Sequence, residues 1–275
     1  MPTWNPSLYL QFADERTQPA IDLVAQIELV NPARIIDLGC GPGNSTAILR
    51  ARWPQADIIG LDSSTEMIAA ASKNFPAGKW VLDDIAAWAG CSAPGATPAE
   101  TPAQTFDIVF SNAVFQWLPA HDVLFPRLFD RVTPGGVLAV QMPAHFESPL
   151  HRLIHQISEH ADWNDGMDRA RSAIAVHRPG FYYDLLQSKA SSTALWHTEY
   201  QHVMENPEAI LAWIRGTGLR PFLQALESVE QQQRFEQLLL AGIQKAYPAQ
   251  SDGRVLFPFR RLFLLARRKP HTPDQ

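Results

Sequence analysis

Residues 34–45, RIIDLGCGPGNS, constrain this chain more than any other stretch. Ile35, Ile36 and Leu38 read as a short buried strand, Asp37 interrupts it, and Gly39, Gly41 and Gly43 follow at alternate positions. Alternating glycines permit positive φ and remove Cβ atoms, so the chain turns sharply and a ligand can lie against the backbone. Asn44 or Ser45 is placed to cap a helix beginning near Thr46. A strand, a glycine turn and a helix N-terminus are the parts of a nucleotide-type site in an α/β sheet.

The spacing argues against a dinucleotide. Read from Gly39, a GxGxxG pattern requires glycine where Asn44 stands, and read from Gly41 it requires glycine or alanine at Thr46. Asp37 opposes a pyrophosphate but suits a ligand with an ammonium and a sulfonium charge, and S-adenosylmethionine has both. Asp62 ends the second apolar run, DIIGLD, 19 positions beyond Gly43, close to the roughly 20 expected of a carboxylate that accepts ribose hydroxyls. Asp83, Asp84 and Ile85 close KWVLDDI, where a carboxylate can accept adenine amino hydrogens and isoleucine can pack on the ring. Each aspartate alone reads equally as a helix cap; three at successive strand ends point to a ligand.

DLGCGPGNS, GLDSS and LDDI resemble the first three motifs of the class I S-adenosylmethionine-dependent methyltransferases. The resemblance implies a Rossmann-like fold: a seven-stranded, mostly parallel sheet with an antiparallel edge strand, helices on both faces and a helical cap. It also implies cofactor contacts from the motif residues, with Ser63 and Met67 following Asp62. In that family an N-terminal segment folds over the cofactor, which brings in Tyr9 and Arg16.

The rest of the chain fits one domain, 1–275. A helix after Pro19 precedes the first strand, and strands then alternate with helices: 34–38, 45–53, 57–61, 64–74 and 79–82. Residues 89–104, rich in proline, alanine, glycine and threonine, read as a loop or disordered insertion. The fourth strand, 106–112, ends at Asn112 on the carboxyl edge, where ligands of open sheets bind. Gln116, Trp117 and His121 leave the sheet beside it. A helix at 122–131, a TPGG turn and the strand VLAVQMP complete the unit. Residues 162–176 read as a polar loop, and 205–250 as a helical cap inserted between the last two strands, which pair antiparallel.

At 275 residues and 46% hydrophobic content the chain can fill a large core. A net charge of −5 gives no electrostatic footprint for nucleic acid. Two cysteines, Cys40 and Cys91, form no disulfide framework, which predicts a reducing compartment. No stretch is apolar enough to span a membrane, and MPTWNPSLYL lacks a signal sequence, so the expected location is the cytoplasm.

The methyl acceptor is read from chemistry and from a wider likeness. WNPSLYL, NAVFQWLP, LAVQMP, VHRPGFYYDLL, TGLRPFL and RRLFLLARR resemble members of that family that esterify a small polycarboxylic acid. A carboxylate is already a deprotonated nucleophile at neutral pH, so no general base and no metal is required. His151 and His155 have a metal-compatible spacing, but no carboxylate or cysteine joins them at ligand spacing, and no metal is expected. Guanidinium forks match carboxylates, which makes Arg220 of TGLRP the first substrate candidate. Arg261, Arg215, His177, Tyr182, Tyr183 and Trp117 follow. Competing readings are a carboxyl methyltransferase acting on a malonyl thioester of an acyl carrier protein, a Rossmann-type oxidoreductase, and a cofactor-binding protein without catalysis.

Overall fold

A seven-stranded sheet in the order β3-β2-β1-β4-β5-β7-β6 organises the chain. The computed structural model describes residues 13–91, 104–160, 163 and 166–271, with the side chains of 13–16 outside that description. Strands β1 (Arg34–Leu38), β2 (Asp57–Asp62), β3 (Lys79–Leu82), β4 (Phe106–Asn112) and β5 (Val132–Pro143) run parallel. β7 (Val255–Arg268) lies between β5 and β6 (Ala190–Met204), which turns the edge antiparallel. β1 and β4 are buried along almost their whole length, as befits central parallel strands covered on both faces. The expected mostly parallel sheet with an antiparallel edge is therefore the observed one.

Strand order reverses at β1, with β2 on one side and β4 on the other. Ligands of open α/β sheets bind at such a switch point, outside the carboxyl ends of the strands. Asp107 fixes this register: its Oδ2 accepts from the backbone N–H of Ala33 and Arg34 at 2.7 and 3.0 Å, and its Oδ1 accepts from the Thr133 hydroxyl at 2.9 Å. The carboxylate thus ties the starts of β1 and β5 to β4, so that Asp37 and Asn112 emerge at one edge.

The chain divides into two compact units. The first comprises Met1–Met142, Val176–His197 and Leu262–Gln275. It holds α1 (Ala13–Ala25), α2 (Asn44–Arg52), α3 (Thr65–Asn74), α4 (Ile85–Trp88), α5 (His121–Asp130) and α8 (Pro179–Leu186). The second comprises Pro143–Ala175 and Thr198–Arg261. It holds α6 (Pro149–Ser158), α7 (Met167–Arg171), α9 (Pro207–Arg215), α10 (Arg220–Ala225) and α11 (Val229–Ala246). A Cβ at Gly242 on α11 would lie 2.8 Å from Leu153 Cδ2 on α6, so glycine sets how closely these two helices approach. The helices of 205–250 belong to a larger unit that also holds Pro149–Ser158 and Met167–Arg171.

Two local readings change. Thr133–Gly136 lies inside β5, because the pairing shifts register between Phe106↔Val132 and Ile108↔Val137. Gly135 takes φ 81°, and a Cβ at Gly136 would lie 2.7 Å from the Asp107 carbonyl oxygen. The same glycines that signal a turn here make a bulge against β4. The polar segment 162–176 contains the short helix α7. Among the described residues, no helix is long and apolar enough to cross a membrane.

Candidate active site

The glycine turn carries three glycines with three different causes. Gly39 takes φ 70°, and a Cβ there would lie 2.2 Å from Val114 Cγ2. Gly43 takes φ 96°, and its Cβ would lie 2.8 Å from Phe75 and 2.9 Å from Trp80. Gly41 takes φ 55°, yet none of the described residues lies within 4 Å of the position its Cβ would occupy. Two of the glycines therefore serve protein packing, while a Cβ at Gly41 would meet none of the described residues. Gly43 stands at the N-cap of α2, and no side chain caps that helix.

The missing cap corrects the expectation that Asn44 or Ser45 fills that role. The helix already begins at Asn44, and the hydroxyls of Ser45 and Thr46 turn back to donate to Asp37 Oδ2 at 2.7 and 2.6 Å. Asp37 is fully buried, and its other oxygen, Oδ1, has no hydrogen-bond partner among the described residues. Burial, opposed by those two hydroxyls and reinforced by Asp62, raises its pKa from 3.8 to about 6.

That shift sets a testable pH dependence. Because the folded pKa is raised, stability present below pH 3.8 is lost as pH climbs through about 6, by about 3 kcal/mol. A cation settling against the ionised carboxylate would reverse the shift. Affinity for S-adenosylmethionine is therefore expected to rise between pH 4 and about 6 and then level, with Asp37→Asn flattening the profile. Titration calorimetry across that range checks it; an equally steep profile in the variant would remove Asp37 from the linkage.

Asp62 stands at the end of β2 and receives the Gly41 N–H on Oδ2 and the Ser64 N–H on Oδ1, both at 2.9 Å. It thereby clamps the turn from below, and burial raises its pKa. Ser63 beside it is exposed, while Met67 is buried on α3. Asp84 is the N-cap of α4, with Oδ1 accepting from the N–H of Ala86 and Ala87 at 2.9 and 3.0 Å. Both of these bonds fall on Oδ1, and the exposed Asp83 accepts the Asp84 N–H on its own Oδ1 at 2.8 Å, so Asp83 is the more accessible candidate for an adenine amino group. Ile85 is buried at the first position of α4.

A pocket opens at this edge, lined by Gly39, Cys40, Gly41, Pro42, Asn44, Ser45 and Asn112, with Thr17 and Ala20 of α1. The N-terminal helix therefore reaches the turn through Thr17 and Ala20. Tyr9 and the side chain of Arg16 lie outside the described residues. Asn112 Oδ1 is buried without a partner among the described residues. Ala113, the next residue, takes φ 59°, a conformation that costs a non-glycine residue about 1–2 kcal/mol. Burial raises the Cys40 thiol pKa, with Asp37 and Asp62 adding to it, so this cysteine fills space and stays protonated. Unpartnered oxygens on Asp37 and Asn112, beside a glycine with room above it, fit a ligand that carries positive charge and hydrogen-bond donors.

The aromatic candidates form a closed relay in the first unit. His121 Nε2 lies 2.9 Å from the Phe115 carbonyl, which can only accept, so Nε2 carries the proton. Nδ1 then accepts from the Tyr182 hydroxyl at 2.9 Å, and that hydroxyl receives the His177 backbone N–H at 3.1 Å. Tyr182 is fully buried, and burial pushes its pKa up to about 12. This corrects its role from substrate contact to scaffold. His177 and Tyr183 are exposed, and Trp117 is half-buried on the short turn of helix Phe115–Trp117. Tyr182→Phe strands His121 Nδ1 and the His177 N–H, and is expected to cost about 1–3 kcal/mol in urea denaturation. Unchanged stability would show that the relay carries none.

The arginines lie in the second unit. Arg215 makes a two-pronged ion pair with Glu236, at 2.7 and 2.6 Å, so its fork is committed within the protein and it leaves the acid-binding set. Arg220 begins α10 half-buried, and burial lowers its pKa. Arg261 is buried, 3% exposed, with its guanidinium 4.6 Å from the Phe259 ring. His151 and His155 both lie on α6, and His151 packs edge-on against His145. Sequence reasoning missed the clamp of Ser45 and Thr46 on Asp37, the strained Ala113, and the gathering of His145, His151 and His202 near Arg261.

A parallel sheet reversing at β1, a glycine turn into an uncapped helix and acidic ends on β1 and β2 define a class I methyltransferase fold. Residues 9–221 match the model of the methyltransferase domain family. The chain is 46% identical to trans-aconitate 2-methyltransferase from Azoarcus sp. strain BH72, covering 97% of this chain and 99% of that one. It is 44% identical to trans-aconitate 2-methyltransferase from Methylobacterium radiotolerans, covering 98% and 99%. Among solved structures, the YcgJ protein of Bacillus subtilis is similar with a TM-score of 0.56 at 12% identity, covering 92% of this chain and 100% of that one. A phosphoethanolamine N-methyltransferase of Haemonchus contortus, bound to S-adenosylhomocysteine, is similar with a TM-score of 0.52 at 15% identity, covering 92% and 53%. The chain belongs to the methyltransferase family, and S-adenosylmethionine is its methyl donor.

Proposed function

We propose that this protein is a carboxyl O-methyltransferase that converts trans-aconitate to its monomethyl ester. The observation that carries the reading is identity of 46% to a trans-aconitate 2-methyltransferase across 97% of the chain, which includes the residues of both units. Support for the donor site comes from the turn itself: Asp37 Oδ1 has no hydrogen-bond partner among the described residues, none of them lies within 4 Å of a Cβ at Gly41, and Asp62 holds Gly41 in place while its raised pKa marks it as desolvated. Asp83, Ile85 and Asn112 complete that side. Arg220 and Arg261 are the guanidinium groups proposed to hold the acid, and 205–250 is proposed to select it.

S-adenosylmethionine supplies an electrophilic methyl bonded to a sulfonium. A substrate carboxylate oxygen attacks that carbon as the carbon–sulfur bond breaks, giving ester and thioether, and the opposite charges cancel. No proton moves, so the chain needs no general base. Its tasks are to align the oxygen behind the methyl, worth about 7 kcal/mol or more when well oriented, and to keep water from the pair. The enzyme is proposed to act in the cytoplasm on a free small acid.

A panel of polycarboxylates offered with S-adenosylmethionine tests the substrate. Trans-aconitate is expected to show the highest kcat/KM, ahead of cis-aconitate, citrate and malonyl thioesters. A malonyl thioester ranking first would replace the reading with the carrier-protein alternative.

A further inference from the structure

Two alanines bracket the turn that follows β4. Ala113 and Ala120 take φ 59° and 56°, and among the described residues they are the only non-glycine positions with positive φ. Strain of that kind persists only where the surroundings over-determine it, and it gathers at functional sites. The residues between the alanines are held accordingly. Ala113 donates its N–H to the Gln141 carbonyl of β5 at 2.9 Å, and its own carbonyl receives the Gln116 side-chain amide at 2.7 Å. The Phe115 carbonyl receives the Leu118 N–H and His121 Nε2, each at 2.9 Å. Phe115 is fully buried against Phe125, and Gln116 and His121 are 4% and 1% exposed.

What this turn delivers is Val114. Its methyls fill the volume a side chain at Gly39 would need, since a Cβ there would lie 2.2 Å from Cγ2 and 2.7 Å from Cγ1. From the other side, the Leu61 carbonyl receives the N–H groups of Gly39 and Cys40 at 2.7 and 3.0 Å, and Asp62 receives that of Gly41 at 2.9 Å. The glycine turn is therefore gripped between the end of β2 and Val114. Val114 in turn stands where it does because Gln116 and His121 close the strained turn around it. Every residue in this chain of contacts lies in the first unit.

We infer that His121 and Gln116 are positioning residues for the methyl donor, acting through Val114 on Gly39. This rests on the reading that S-adenosylmethionine lies on the glycine turn, and it adds the groups that keep that turn in its binding shape before the ligand arrives. His121 is suited to the task because its ring is fixed at both nitrogens: Nε2 donates to the Phe115 carbonyl and Nδ1 accepts from the Tyr182 hydroxyl, so it cannot turn over without losing both bonds. A turn that is already formed spares the ligand the cost of ordering it. Neither side chain takes part in the transfer itself.

Steady-state kinetics on a small set of variants tests it. His121→Leu, which removes the donor to Phe115, is expected to raise KM for S-adenosylmethionine about tenfold while leaving KM for trans-aconitate within about twofold, which also reports that the variant is folded. His121→Gln, whose amide N–H can reach the same carbonyl, is expected to recover most of that loss. Val114→Ala leaves the hydrogen bonds of the turn in place and is expected to raise KM for the donor in the same selective way. In the double variant of His121→Leu and Val114→Ala the two penalties should not multiply, because both act through one contact. Penalties that multiply would overturn the inference. So would a loss in His121→Leu that falls equally on donor and acid and is not recovered by glutamine. Normal donor binding by His121→Leu and Val114→Ala, beside a Gly41→Leu variant that has lost it, would overturn this inference alone. A Gly41→Leu variant that binds the donor normally would defeat the reading of the donor site, and this inference with it.

Discussion

Gly41→Leu is expected to abolish S-adenosylmethionine binding and leave the protein folded, whereas Gly39→Ala is expected to cost most of its stability. The difference lies in what each Cβ would meet. At Gly41 none of the described residues lies within 4 Å, so the fold bears only the strain of φ 55°, about 1–2 kcal/mol, while the side chain occupies the ligand's approach. At Gly39 the new Cβ would lie 2.2 and 2.7 Å from the Val114 methyls, in addition to the strain of φ 70°. Val114 follows Ala113, itself held at positive φ, so it cannot easily move aside. Chemical denaturation and calorimetry on both variants check the pair. If Gly41→Leu still binds the donor, the turn is not its cradle.

The second large effect is at Asp62. Asp62→Asn replaces a carboxylate that receives two backbone N–H groups with an amide that can receive them through one oxygen only, leaving either the Gly41 or the Ser64 N–H facing a donor. With the charged acceptor for ribose hydroxyls also lost, affinity for S-adenosylmethionine is expected to fall about ten- to a hundredfold, or ~1–3 kcal/mol. Asp84→Asn is the contrast. It weakens the cap of α4 and is expected to cost about 1 kcal/mol or less in stability with donor affinity preserved, while Asp83→Asn lowers affinity. Equal loss from Asp62→Asn and Asp84→Asn would show that neither assignment separates cap from ligand contact.

What was legible in the sequence follows from what is local. The strands β1, β2, β3 and β4 are apolar runs bounded by polar or glycine residues, and their alternation with helices leads directly to a parallel sheet. Pro149, Pro179 and Pro207 mark helix starts, because proline at the first position loses no hydrogen bond. What depends on tertiary contact was not legible. Thr133–Gly136 has the composition of a turn, and only the carbonyl of Asp107 across the strand pair makes it a bulge. Ser45 and Thr46 carry hydroxyls suited to capping, and the buried Asp37 claims both. Arg215 resembles a substrate clamp until Glu236, 21 residues later, is seen to hold it. The histidine cluster draws on positions 145, 151, 202 and 261, and no spacing rule connects them.

The central claim is transfer of a methyl group to a carboxylate oxygen, and carbon-13 NMR of the product tests it most directly. S-adenosylmethionine labelled in its methyl group, incubated with the protein and trans-aconitate without added metal, is expected to yield one methyl ester signal, coupled through oxygen to the carbonyl of the acid. A labelled methyl on carbon or nitrogen, or a label that stays on the donor while every acid is present, would contradict it.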